Sequence, residues 1–185
     1  MNKKKIFIAC DTNSIPKIKK IIKETQTDEL KIYYKFGLQF FYSKNGRKFL
    51  SRLNRKHKYF LDLKLMDISQ TCLSAVDSIK DLKNCTYITA HISGGLEMLK
   101  AIKKKSKKIN KNLKVLGVTI LTSLDQKSLK KIGYAKSVSA LVLQQTKLAK
   151  LAGLDGVVCS AKEAGLIKSK FKNMEIICPG IRLPG

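Results

Sequence analysis

Asp62, Lys64 and Asp67 stand close together where an otherwise apolar run, Tyr59 to Leu65, should end. On a β-strand, side chains two apart share a face, so Asp62 and Lys64 are expected on one face and Leu61, Leu63 and Leu65 on the other. In a parallel sheet covered by helices both faces are buried, and an ionised group there is costly unless it is paired. A purely structural ion pair is a weak explanation, because buried pairs are poor stabilisers. The chemistry open to an ammonium held beside carboxylates is electrostatic or proton-transferring. That working role is the preferred reading.

The elements that must position these groups can be read from periodicity. Strand-like apolar runs recur at Ile6–Cys10, Ile32–Phe36, Tyr59–Leu63, Tyr87–His91, Val115–Leu121, Gly156–Cys159 and Glu175–Cys178. Between them, Ile15–Lys23, Lys44–Leu53, Ser74–Leu82, Leu96–Lys104 and Gln144–Ala152 carry helical spacing with Lys on the polar face. Alternating strands and helices imply βαβ units and a parallel sheet. Seven strands, with polar residues at nearly every strand end, favour a TIM-type (β/α) barrel of the α/β class over an open sheet. The whole chain, 1–185, reads as one domain, with no Pro- or Gly-rich linker.

Those polar residues all fall at carboxyl ends: Asp11, Lys35 with Gly37, the Asp62–Lys64–Asp67 set, His91 to Gly95, Thr122 with Ser123, Ser160, and Pro179 to Arg182. That is the face on which barrels assemble active sites. Several have plainer readings. Asp11 can start a turn or cap a helix in competition with Asn13 and Ser14. His91 is read as a core histidine and receives no role. Gly94 and Gly95 permit a tight turn into the helix at Leu96. Ser160 is expected to cap a helix starting at Ala161, with Glu163 completing a capping box.

Composition narrows the partners. The 185 residues are 44% hydrophobic and 28% charged, ordinary for a globular protein. No run is long enough to cross a bilayer, and the basic start lacks the apolar core of a signal peptide, so the cytoplasm is the expected compartment. Cys10, Cys72, Cys85, Cys159 and Cys178 show no CxxC spacing, and His57 and His91 form no metal-binding cluster, so no metal is expected. The net charge of +25 raises the possibility of nucleic acid or another polyanion. All but four of the 38 basic residues are Lys, on outward helix faces without interleaved aromatics, which makes that the minor reading.

The stretch from Asp62 to Thr71 resembles the signature of the orotidine 5′-phosphate decarboxylase family, in which Asp-x-Lys-x-x-Asp-Ile is followed shortly by Thr. Other segments agree in order: Ile8 to Asp11, Lys35 to Gly37, His91 to Gly95, Val118 to Ser123, Gly153 to Ser160 and Pro179 to Arg182. The likeness covers essentially the whole chain and is closest to the bacterial form. It implies cofactor-free decarboxylation of orotidine 5′-phosphate to uridine 5′-phosphate, the last step of pyrimidine synthesis, by a homodimer acting on a small nucleotide. By resemblance, Lys64 stabilises the carbanion and protonates it, and Asp62 orients Lys64. Asp67 and Thr71 reach into the neighbouring subunit's site, and Ile68 belongs to the same substrate-binding segment. Asp11 and Lys35 hold ribose hydroxyls, Thr122 lies against the pyrimidine, and Arg182 grips the phosphate.

The chain ends at Gly185, ahead of the phosphate loop, eighth strand and last helix that the family pattern leads one to expect. Met66 and Ser69-Gln70 replace the usual His and Pro-Asn. An incomplete barrel with an open seam between its first and seventh strands, and weakened phosphate binding, is therefore expected. Two other functions compete. A magnesium-dependent sugar-phosphate decarboxylase or aldolase of the same superfamily would want an acidic residue two before Asp62, where Phe60 stands. An inactive or polyanion-binding protein would account for the charge.

Overall fold

The structure, a computed structural model, describes residues 5–181. Its elements run β1 (Lys5–Ala9), α1 (Ile15–Glu24), β2 (Lys31–Gly37), α2 (Leu38–Phe41), α3 (Gly46–Arg52), β3 (Lys58–Leu65), α4 (Ser69–Ser78) and β4 (Cys85–His91). After a 3-10 turn at Ile92–Gly94 come α5 (Leu96–Ile109), β5 (Lys114–Val118), α6 (Gln126–Lys131), α7 (Val138–Leu151), β6 (Gly156–Val158), α8 (Ala161–Lys170) and β7 (Glu175–Ile177). The strands form one seven-stranded sheet in the order β1 to β7 without a crossover, and every pairing is parallel. A sheet that never reverses its strand order curls on itself, as in a barrel, rather than splitting at a switch point.

Strand alternation sorts the side chains into two cores. Outward residues such as Tyr34, Phe36, Tyr59, Leu61, Ile88, Val115 and Val157 pack beneath helix residues including Ile18, Ile22, Val76, Leu99, Ile102 and Ile167. Inside the curl, each strand gives one apolar side chain: Phe7, Tyr33, Phe60, Tyr87, Leu116, Val158 and Ile177. Phe7 touches Tyr33, Phe60 and Tyr87, with centroids 5.1, 5.6 and 5.2 Å away. Aromatic contacts at these separations add to simple area burial. The interior is a filled core, as barrels of this size require.

β1 and β7 are the two ends of the strand order and show no backbone pairing with each other among the described residues. The expected seam is therefore present, yet side chains span it. Lys5 on β1 meets Glu175 on β7 at 2.7 Å. Glu175 also takes Lys114 at 2.7 Å and accepts a hydrogen bond from the Tyr87 hydroxyl at 2.9 Å. Burial raises the Glu175 carboxyl, but the bonds from Lys114, Lys5 and Tyr87 outweigh it and hold the group below its ordinary value.

All seven strands lie where periodicity places them, with end shifts: β3 continues to Leu65 and β5 stops at Val118. The helices moved more. The helix expected over Ser74–Leu82 is α4 at Ser69–Ser78, and the one expected from Gln144 begins at Val138, where the Ser137 hydroxyl accepts from the Ala140 amide at 3.3 Å. α2 and α6 are short and escape a periodicity search. Ser160 does cap α8, accepting from the Lys162 amide at 3.1 Å. Its hydroxyl donates to Glu163, so the reciprocal capping box becomes a side-chain pair. No helix among the described residues is long and apolar enough to cross a membrane.

Candidate active site at the carboxyl ends of the strands

Asp62 organises the upper end of the barrel interior. Its Oδ2 lies 2.8 Å from Lys64 Nζ and 3.7 Å from Lys35 Nζ. Lys35 Nζ in turn lies 3.4 Å from Asp11 Oδ1. Charges therefore alternate along Asp11, Lys35, Asp62 and Lys64, drawn from β2, β3 and the end of β1. Register explains the meeting: Lys35 is the partner of Ala9 on one side and Phe60 on the other, two residues short of Asp11 and Asp62 respectively. Strand alternation then turns Lys35 and Asp62 inward.

Lys64 does not simply follow Asp62 along a regular strand. Leu61 pairs with Ile88 and Leu65 with Ala90, so Asp62, Leu63 and Lys64 stand opposite Thr89 alone. The surplus is taken up at Lys64, whose φ of 51° makes it the one non-glycine residue with positive φ among the described residues. An L-residue there carries a cost of roughly 1–2 kcal/mol. Strain of this kind persists where surrounding contacts over-determine it. Those contacts come from Thr89: its hydroxyl accepts from the Lys64 amide at 2.9 Å and donates to Asp62 Oδ1 at 2.9 Å. Thr89 is buried and was not picked out in the sequence. Its place two before His91 puts it on the same inward face of β4.

His91, two residues beyond Thr89 at the carboxyl end of β4, is half-buried. Burial, then the Lys64 ammonium, push it below its ordinary value against the pull of Asp62. Burial, then Asp11, push the Cys10 thiol up to about 12. A neutral thiol is a poor nucleophile, so the cysteine beside the charge chain is packing. Gly95, with φ 89°, makes the turn from the 3-10 segment into α5.

The remaining predicted residues lie outside the network. Asp67 is exposed and its Oδ1 accepts from the Ile68 amide at 2.7 Å. Ile68 is 72% exposed with Met66 beside it at 57%. Thr71, on the first turn of α4, and Thr122, in the loop after β5, are also exposed. The structure brings Asp11, Lys35, Asp62 and Lys64 together and leaves Asp67, Ile68, Thr71 and Thr122 facing open space. Arg182 lies outside the described residues.

The Orotidine 5′-phosphate decarboxylase / HUMPS family model matches residues 4–185. The chain belongs to this family. It is similar to the orotidine 5′-phosphate decarboxylase of Coxiella burnetii, 38% identical over 97% of this chain and 76% of that one. The enzyme of the same name from Malacoplasma penetrans is also 38% identical, over 99% and 79%. Among solved structures, the crystal structure of orotidine 5′-phosphate decarboxylase from Lactobacillus acidophilus superposes with a TM-score of 0.87, at 28% identity over 97% of this chain and 82% of that one. Family membership agrees with the resemblance carried by Asp62, Lys64, Asp67, Ile68 and Thr71, and with the barrel-like parallel sheet.

Proposed function

We propose that the Asp11–Lys35–Asp62–Lys64 network performs the reaction of this family on orotidine 5′-phosphate, releasing carbon dioxide and leaving uridine 5′-phosphate, the last step of pyrimidine synthesis. The observation that carries the assignment is the 2.8 Å pair of Lys64 and Asp62 at a strained backbone position inside the barrel mouth. Breaking the bond from the pyrimidine ring to its carboxylate leaves an electron pair in the ring plane, with no π-system to absorb it. The Lys64 ammonium stabilises that pair and then donates its proton to the same carbon. Asp62 aims Lys64 and crowds the departing carboxylate. Lys35 and Asp11 are suited to ribose hydroxyls, and Thr89 is a positioning residue acting through Asp62 and the Lys64 amide.

One charge contact at about 4 Å is worth about 4 kcal/mol at an effective dielectric of 20. A hard decarboxylation needs ~20 kcal/mol of transition-state stabilisation. Lys64 alone falls short, so binding energy from the ribose and phosphate must be turned into positioning. Arg182 is assigned to the phosphate and Thr122 to the pyrimidine edge. Asp67 and Thr71 are assigned to a second subunit's site, with Ile68 in the same substrate-binding segment, a role supported by their exposure beside the exposed apolar side chain of Met66, which makes the working unit a homodimer in the cytoplasm. The reaction needs no metal or organic cofactor in this reading. Buried Phe60 stands where the magnesium-dependent alternative would want a carboxylate.

The test is loss of orotidine 5′-phosphate absorbance by the purified chain beside Lys64→Ala, with and without EDTA. Turnover that needs Lys64 and ignores EDTA is expected. Equal rates for the two proteins would sink the assignment.

A further inference from the structure

A cleft of about 620 Å³ runs between α1 and α3, on the outer side of the barrel. Its size falls within the range of small-molecule sites, roughly 300–1,000 Å³. One face of α1 supplies Ile15, Lys19, Ile22 and Lys23, and α3 with the residue after it supplies Lys48, Phe49, Arg52 and Leu53. Helical spacing sorts these by chemistry. Ile15, Ile22, Phe49 and Leu53 make an apolar floor that packs on the outer core. Lys19, Lys23, Lys48 and Arg52 make a cationic rim.

No carboxylate lines the cleft. The ion pairs on these helices use other residues, Lys20 with Glu24 and Arg47 with Asp81. The four rim cations are left without a carboxylate partner among the described residues. One of the four rim cations, Arg52, is an arginine. A guanidinium fork matches carboxylate and phosphate oxygens better than an ammonium does.

We infer that this cleft binds an amphipathic organic anion, one with a flat or extended apolar body and a carboxylate, sulfonate or phosphate head. The body covers Phe49, Ile22 and Leu53, and the head lies among Lys19, Lys48 and Arg52. The site is separate from the barrel mouth: none of its lining residues is in the Asp11–Lys35–Asp62–Lys64 network.

The probe is 8-anilinonaphthalene-1-sulfonate, titrated into the folded full chain by fluorescence. One saturable site is expected, displaced by decanoate, which supplies both head and body, and little affected by inorganic phosphate, which supplies a head alone. Lys19→Glu and Arg52→Glu, both exposed positions that fold can tolerate, should each weaken binding tenfold or more. Lys107→Glu, an equal change of charge on exposed α5, should move it less than threefold. Uridine 5′-phosphate, assigned to the barrel mouth in the proposed function, should not compete. Absence of a saturable site, displacement by uridine 5′-phosphate, equal effects of all three reversals, or failure of decanoate to compete would each overturn the inference.

Discussion

Two carboxylates inside this barrel have almost the same company. Glu175, at the amino end, holds Lys5, Lys114 and the Tyr87 hydroxyl at 2.7, 2.7 and 2.9 Å. Asp62, at the carboxyl end, holds Lys64, Lys35 and the Thr89 hydroxyl at 2.8, 3.7 and 2.9 Å. The difference lies in the backbone and in what is shared. None of the residues around Glu175 has a positive φ, although the β3–β4 register shifts beside Tyr87, and that carboxylate is the described ion-pair partner of both lysines. Around Asp62 one lysine sits on a bulge at positive φ, and the other is divided between two aspartates. Identical functional groups thus make a clasp at one end and a site with unspent interactions at the other. A charged cluster is recognised as working by strain and sharing rather than by the residue types in it.

The sharpest way to break this contrast is Lys64→Gly. Glycine relieves the left-handed backbone, which offsets its own entropy cost and the lost pair with Asp62, so stability should change by no more than about 1 kcal/mol while turnover falls by ~10⁴ or more. Thermal melting and the absorbance assay on one sample would show both, and an active glycine variant would contradict the role of Lys64. Next in size is Glu175→Ala, which strands two lysines and a phenol. It should cost about 2–3 kcal/mol in equilibrium denaturation, below the figure for fully buried pairs because Lys5 and Lys114 are partly exposed. Turnover per folded molecule should stay within about threefold.

Thr89→Val tests the positioning role. Losing a hydrogen bond to a charged group is worth ~1.5–3 kcal/mol, so kcat should drop roughly 10- to 100-fold with KM little changed. Thr89→Ser should recover most of it. An equal loss in both variants would point to packing instead.

The smallest effect is in the pH dependence of the clasp. The Glu175 carboxyl is held below its ordinary 4.5, so its contribution is complete above that value and is lost as pH falls through the folded-state value. Burial lowers Lys5, but its bond to Glu175 outweighs this and holds the ammonium above its ordinary 10.5, so its share is lost only as pH rises beyond that value. Denaturation midpoints of Glu175→Gln should be flatter than the parent's on the acid side. Parallel curves would show that the clasp contributes nothing to acid stability.

Much of this was legible in the sequence. Seven apolar runs placed seven strands, because parallel strands buried on both faces need near-continuous hydrophobic residues. The contact of Asp62 with Lys64 followed from their spacing, although the route differs: they meet across a bulge rather than on a regular pleat. Thr89 stayed hidden because a threonine in an apolar strand carries no charge to mark it. The Lys5–Glu175 pair joins residues at opposite ends of the chain, and no local pattern announces such a contact. The start of α7 was missed because Val138 to Leu143 lacks the Lys-bearing face that marked the other helices.

Burial on both faces of the sheet, Tyr59 beneath the helices and Tyr87 inside the curl, has an optical consequence. The chain has six tyrosines and no tryptophan. Burial raises the phenols of Tyr59 and Tyr87 well above the ordinary tyrosine value, with Glu175 adding to the shift at Tyr87. Both rings are harder to ionise in the intact barrel than in the unfolded chain. Ultraviolet absorbance recorded during alkaline titration should therefore hold back a late step from these two rings, and that step marks the opening of the barrel. The protein carries its own unfolding indicator, with no label attached.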